Sequence, residues 1–326
     1  MRSTSAVLYW TLTIFGVTAL AILLLKDANS YLLYVINLTL INAIAAIGLA
    51  LLSGVAGQVS LGTAGLLAVS AYVTAILMTH LGLGFLPSAL AGAIGAMFIG
   101  TLLAAPALRL SGMHLAIVTL AFGTIIVQFI GKGGDLTGGM SGLFVPTASI
   151  LGWDADTEFK RFLLILVPFL IATITTWNFV RLKPGRALHV LRDQEDIART
   201  IGINTSGYKI LTFAFSAFLC GISGALLAAL KGYVSVDDFT IWHSLYFFVM
   251  IVIGGMTSIL GGVIGAVVVT VLPELLRGFQ ESAQAVFGIV TVLIFLFLPG
   301  GIVGTAKRLW AARVATRGST TERDRL

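Results

Sequence analysis

The side chains able to do chemistry are few and scattered. His80, His114, His189 and His243 stand at no spacing that would ligate a metal. Cys220 lies in the apolar run FSAFLCGISG and reads as a small core residue, with no second cysteine to form a disulfide. Gly131–Lys132 lacks the upstream glycine and the following Ser or Thr of a phosphate-binding loop, and no G-x-S-x-G elbow occurs. The chain therefore reads as a protein that is not an enzyme, with no bound cofactor or metal of its own.

Two polar features remain. The first is the run Ser53–Thr63, SGVAGQVSLGT, where two apolar segments meet. Gln58, Ser60 and Thr63 could line a solute path or cap two helix ends, and Asn42 and Thr119 are candidates of the same kind. The second is a charged island from Leu182 to Lys209 in an otherwise apolar chain. From Arg186, residues Ala187, Leu188, Val190, Leu191, Ala198 and Ile201 recur at three- and four-residue spacing, which predicts one amphipathic helix over 186–201. Gly202 and Asn204 supply its stop. Its charges are mixed, whereas a lipid-surface helix would be rich in Lys and Arg. It is either a solvated connector or a helix that docks in the groove of a soluble partner.

The elements that hold these features must be membrane spans. The 326 residues are 58% hydrophobic and only 10% charged, with a mean hydropathy of +1.02, against about 25% charged in soluble domains. The net charge of +6 lies mostly in the island and the tail, which is a membrane-topology signal and not a nucleic-acid footprint. A crossing needs about 20 apolar residues. Runs near 6–25, 31–53, 61–80, 85–106, 113–131, 162–180, 210–230 and 285–304 qualify, the first read as a retained span without a cleavage site. Residues 239–273 carry no charge but are too long for one crossing, and their paired glycines predict two short helices with a tight turn. Parity agrees: the island and the basic tail should both be cytoplasmic, so an even number of spans separates them. The count is ten, with both termini inside and Arg109 in an inner turn. Residues 1–306 form one transmembrane domain, and 307–326 a basic tail. The outer loops, 132–160 and the one with Lys231, Asp237 and Asp238, lean acidic and could be solvated or receive an external protein.

Ionisable residues inside the spans are nearly absent. Such groups are expensive in lipid and are usually kept for ion coupling. Their absence favours a pump driven from outside the chain over an ion-coupled secondary carrier or a passive channel.

Several stretches together carry a family resemblance: SGVAGQVSLG (53–62), RLSGMHLAIVTLAFG (109–123), LTGGMSGL (136–143), GRALHVLRDQEDIARTIGIN (185–204), VIGGMTSILGGVIGA (252–266) and LPGGIVG (298–304). In this order they resemble the LivM-type permease subunits of bacterial ABC importers for branched-chain amino acids. The resemblance implies an all-α, ten-span permease of the bacterial inner membrane. It further implies a LivH-type permease partner, two cytoplasmic ATPase subunits holding ATP and Mg, and a periplasmic or lipid-anchored binding protein. It assigns the island to ATPase coupling, through Gly185, Arg186, Ala187, Arg192, Glu195, Ala198 and Gly202, with Leu191 as an apolar contact. Thr63 and His114 depart from the His and Tyr frequent in the family, and urea, amide or aromatic-acid permeases share nearly all these motifs.

Overall fold

The computed structural model describes residues 29–275 except Ser111 and Leu151, together with Leu25 and parts of 288–306. The expected first span and the basic tail lie outside the described residues, save for Leu25, and the expected last span is described only in part. Among the described residues, seven helices are long and apolar enough to cross a membrane.

Helix α1 covers Ser30–Leu49 and begins where the Asn29 side chain accepts a hydrogen bond from the Tyr31 N–H. It continues into a π-helical turn, Ala50–Val55. Gly57, at φ 71°, then turns the chain. Helices α2 (Thr63–His80), α3 (Phe85–Ala107) and α4 (Gly112–Gly131) follow, with Arg109 in the turn between α3 and α4. Then come α5 (Glu158–Arg181), two short helices of the island, α6 (Lys183–Asp193) and α7 (Glu195–Thr200), and the long α8 (Thr205–Lys231).

Helix α8 is the centre of the bundle. Its Ser216 and Ser223 hydroxyls donate to the Gly48 and Ile41 carbonyls of α1 at 2.8 and 2.9 Å. Ser70 of α2 donates to the Gly221 carbonyl at 2.7 Å. Gly224 lies so close to α2 that a Cβ there would sit 2.3 Å from the Leu67 carbonyl oxygen. Small residues let these backbones touch, and van der Waals contact replaces the hydrophobic drive that lipid cannot supply. On the far side of α3, Leu86, Leu90, Ile94, Phe98 and Leu102 form an exposed apolar stripe, the face a bilayer would cover.

The uncharged stretch 239–273 forms the expected pair of short helices, α9 (Ile241–Gly254) and α10 (Ile259–Leu275), with a turn that opens at Gly255, φ 115°. At about 1.5 Å per residue α9 is only about 21 Å long, shorter than a hydrocarbon core of about 30 Å. A 3-10 turn, Val236–Phe239, precedes it and extends the apolar segment.

The two loops expected to face outward do not hang free of each other. Strand β1 (Leu143–Phe144) pairs antiparallel with the distant β4 (Tyr233–Val234), and a hairpin joins β2 (Ser149–Ile150) to β3 (Trp153–Asp154). Loop 132–157 and loop 232–240 are thereby fixed at one end of the bundle. Much of their acidity is spent internally: Glu158 pairs with Arg161 at 2.6 Å, and Asp238 pairs with Lys231. Asp156 pairs with Lys160 at 2.6 Å, and both it and Asp154 stay exposed.

Candidate functional site

The island is two helices where the spacing predicted one. Pro184 sits in the first turn of α6, where its missing N–H costs nothing. Gln194 is extended, at φ −152° and ψ 90°, and separates α6 from α7. The break changes the direction of the chain so that Glu195 meets Lys209, fourteen positions on in α8. Gly202, at φ 81°, ends the island as expected.

That break sorts the apolar residues into an inner and an outer set. Gly185, Ala187, Leu188, Leu191 and Ala198 are buried against the permease body. Leu188 joins Leu51, Val55 and Ala56 of the π turn in a small core, with Phe179, Val180, Tyr208 and Phe215 around it. Gly185 admits no side chain, since a Cβ would stand 1.9 Å from the Val180 carbonyl oxygen. Ile197 and Ile201 instead face outward, 49% and 62% exposed, with Val190 and Arg186 also exposed.

Two charged residues of the island, Arg192 and Glu195, bond to the body. Arg192 donates through Nη1 to the Gly54 carbonyl at the end of the π turn. Lys209, a buried cation, donates to both Glu195 oxygens at 2.8 and 2.9 Å, and Arg199 donates to Oε1 at 2.9 Å. Burial pushes the Glu195 carboxyl up, but the hydrogen bonds and charges of Lys209 and Arg199 outweigh it and hold the pKa below the usual carboxylate range. A depressed carboxylate pKa contributes stability that is complete above the unfolded value and is lost as pH falls through the folded one. The island should therefore stay anchored at neutral pH and loosen only below about pH 4, the ordinary carboxylate range. Hydrogen exchange at 183–204, followed from pH 7 down to pH 3, checks this. Glu195→Gln should show the loosened pattern already at pH 7.

Gly54 links the island to the α9–α10 turn. A Cβ there would lie 1.6 Å from the Met256 carbonyl oxygen, so the π turn and that turn are in backbone contact. Gly301 in turn packs on Gly255, its Cβ position 2.5 Å from the Gly255 Cα. Motifs from four distant parts of the chain thus meet at one end of the bundle, beside the island.

The other polar candidates mostly hold helices together. Asn42 donates to Thr270 Oγ1 of α10 at 3.0 Å. Thr119 Oγ1 accepts from the Leu61 N–H at 2.9 Å and donates to the Ala116 carbonyl at 3.0 Å. Ser60 is buried and its N–H donates to Ser53 Oγ at 3.4 Å, while Thr63 is buried at the start of α2. Gln58 is buried as well, but neither atom of its amide has a hydrogen-bond partner.

A cavity of about 320 Å³ opens between α2, α4 and the start of α9, lined chiefly by apolar surface. Gly65 and Gly123 bring α2 and α4 together along it, and Thr124, Gln128, Trp242 and Ser244 stand among its walls. Ser244 Oγ also accepts from the Ala64 N–H at 3.1 Å. None of Asn42, Gln58, Ser60, Thr63 or Thr119 lines it. Gln128, a lone amide within the apolar run TIIVQFIG, was the sequence signal that could have pointed here.

Known proteins match this chain over most of its length. The family described as the permease component of branched-chain amino acid transport systems matches residues 31–299. The high-affinity branched-chain amino acid transport system permease protein LivM of Escherichia coli K12 is 32% identical over 291 residues, covering 82% of this chain and 68% of that protein. The LivM protein of Salmonella typhimurium is 33% identical over 294 residues with the same coverage. The corresponding LivH permease protein of Escherichia coli K12 is 25% identical over 285 residues, covering 80% of this chain and 91% of its own.

Proposed function

The chain belongs to the permease-component family of branched-chain amino acid transport systems, and on that premise we propose that it is the LivM-type half of an ATP-driven importer for branched-chain amino acids. In this reading it crosses the bacterial inner membrane ten times, with both termini in the cytoplasm. A LivH-type permease pairs with it, two ATPase subunits hydrolyse ATP beneath it, and an external binding protein delivers substrate to the end carrying the β1–β4 pair. ATP and Mg belong to those ATPases.

The observation that carries the reading is the island. Its inner residues pack on the π turn and on α8, while Ile197 and Ile201 are left outward. A pair of short helices with an apolar outer edge suits a groove on a partner that pulls on it. The apolar cavity between α2, α4 and α9 supports the substrate class, since an aliphatic side chain is best held by apolar walls with few polar groups. It would form this subunit's share of the translocation path.

The test is reconstitution of the complex purified through a tag on this chain. ATP-dependent uptake of labelled leucine, isoleucine or valine is the expected result. Uptake of urea or an amide instead would keep the architecture and replace the substrate. Uptake by this chain alone under an ion gradient would overturn the reading. Within the same assay, Thr124→Trp should fill the cavity and reduce leucine import at least tenfold, with the ATPase still bound to the complex. Unchanged import would remove the cavity from the path.

A further inference from the structure

A second cavity, of about 140 Å³, lies at the joint between the island and the body. Gln58, Leu115, Leu191, Arg192, Glu195 and Lys209 are among its lining, so part of its wall comes from the island and from the α8 residue that anchors it. The buried amide of Gln58 has neither a donor nor an acceptor partner. Such a group carries the cost of unmade hydrogen bonds, which native proteins rarely tolerate without a reason. The side chains able to satisfy it stand across the same cavity. Arg192 already touches this loop, its Cγ 2.9 Å from where a Cβ of Gly57 would be. Glu195 receives two bonds on Oε1 but only one on Oε2, which leaves acceptor capacity on that oxygen.

We propose that Gln58 is a positioning residue for coupling: when the island is driven toward the body, the cavity closes and the Gln58 amide donates to the Glu195 carboxylate. This rests on the coupling reading above and takes Gln58 out of the translocation path. The open joint, with its unsatisfied amide, and the closed joint, with the bond made, are two states of one element whose balance the ATPase shifts. A hydrogen bond to a charged group is worth about a tenfold shift or more in such a balance.

The experiment uses the whole reconstituted transporter and reads leucine imported per ATP hydrolysed. Gln58→Leu should keep the ATPase bound and still hydrolysing while import per ATP falls about tenfold. Gln58→Glu should do the same, because it sets a second carboxylate against Glu195. Gln58→Met, similar in length but without the amide, should lower the ratio in the same way while leaving the Glu195–Lys209 pair intact. A ratio equal to wild type in Gln58→Leu would overturn the proposal. So would a wild-type ratio in Gln58→Met, and that variant decides the matter if Gln58→Leu does not fold. Absence of ATP-driven import in the wild type would instead sink the importer reading.

Discussion

Replacing both Ile197 and Ile201 by aspartate will abolish ATP-driven import while leaving the protein inserted and folded. Both side chains lie on the outer edge of the island, about half exposed, and neither belongs to the core that joins the island to the body. In a partner groove each would bury its remaining apolar surface, worth about 1 kcal/mol, and a carboxylate in its place adds a desolvation cost. Two such changes weaken docking by at least about a hundredfold, at roughly 1.4 kcal/mol per decade. Co-purification of the ATPase and substrate-stimulated hydrolysis are the measurements. Retention of both would mean that another surface carries the dock. Leu191→Asp is a poorer probe than its place in the amphipathic pattern suggests. Leu191 is 4% exposed and packs inward, so its loss would damage the joint itself and confuse folding with docking.

Gly265→Ala should prevent the chain from accumulating in the membrane, although it adds a single methyl group to a helix. A Cβ at Gly265 would stand 1.7 Å from the Met250 carbonyl oxygen, and one at Gly254 would stand 1.7 Å from that of Gly261. The neighbour in each case is backbone, which cannot rotate away as a side chain would. Helices α9 and α10 would have to part along their length, at a cost above the roughly 1–3 kcal/mol of ordinary overpacking. Gly95→Ala on α3 is the control. Its nearest neighbours are methyl groups of Val69 and Val73 at 4.0 Å, and alanine is the better helix former. Full-length protein in the membrane fraction, and the melting temperature of whatever can be solubilised, should separate the two variants clearly. Equal yields would show that the α9–α10 hairpin has room which the contact distances deny.

The crossings and the island were legible in the residue order because lipid imposes a local rule. Every backbone group in the hydrocarbon must be satisfied within its own helix, so a span announces itself as an uninterrupted apolar run. The same rule, with parity of charge, identified 239–273 as two short helices before any contact was known. Several short motifs in a fixed order likewise point to the family. Other features depend on residues remote in the chain, and only the tertiary structure decided them. The extended backbone at Gln194 turns Ile197 outward while Leu188 and Leu191 stay inward, a change of direction that continuous helical spacing cannot express. Gly54 meets Arg192 across 138 positions, and Asn42 meets Thr270 across 228. The polar run at 53–63 therefore read as either a path lining or a pair of helix caps, and folding sets its Gln58 beside the island. A side chain's role in a membrane bundle is decided by the neighbour it meets, and that neighbour is supplied by packing between helices.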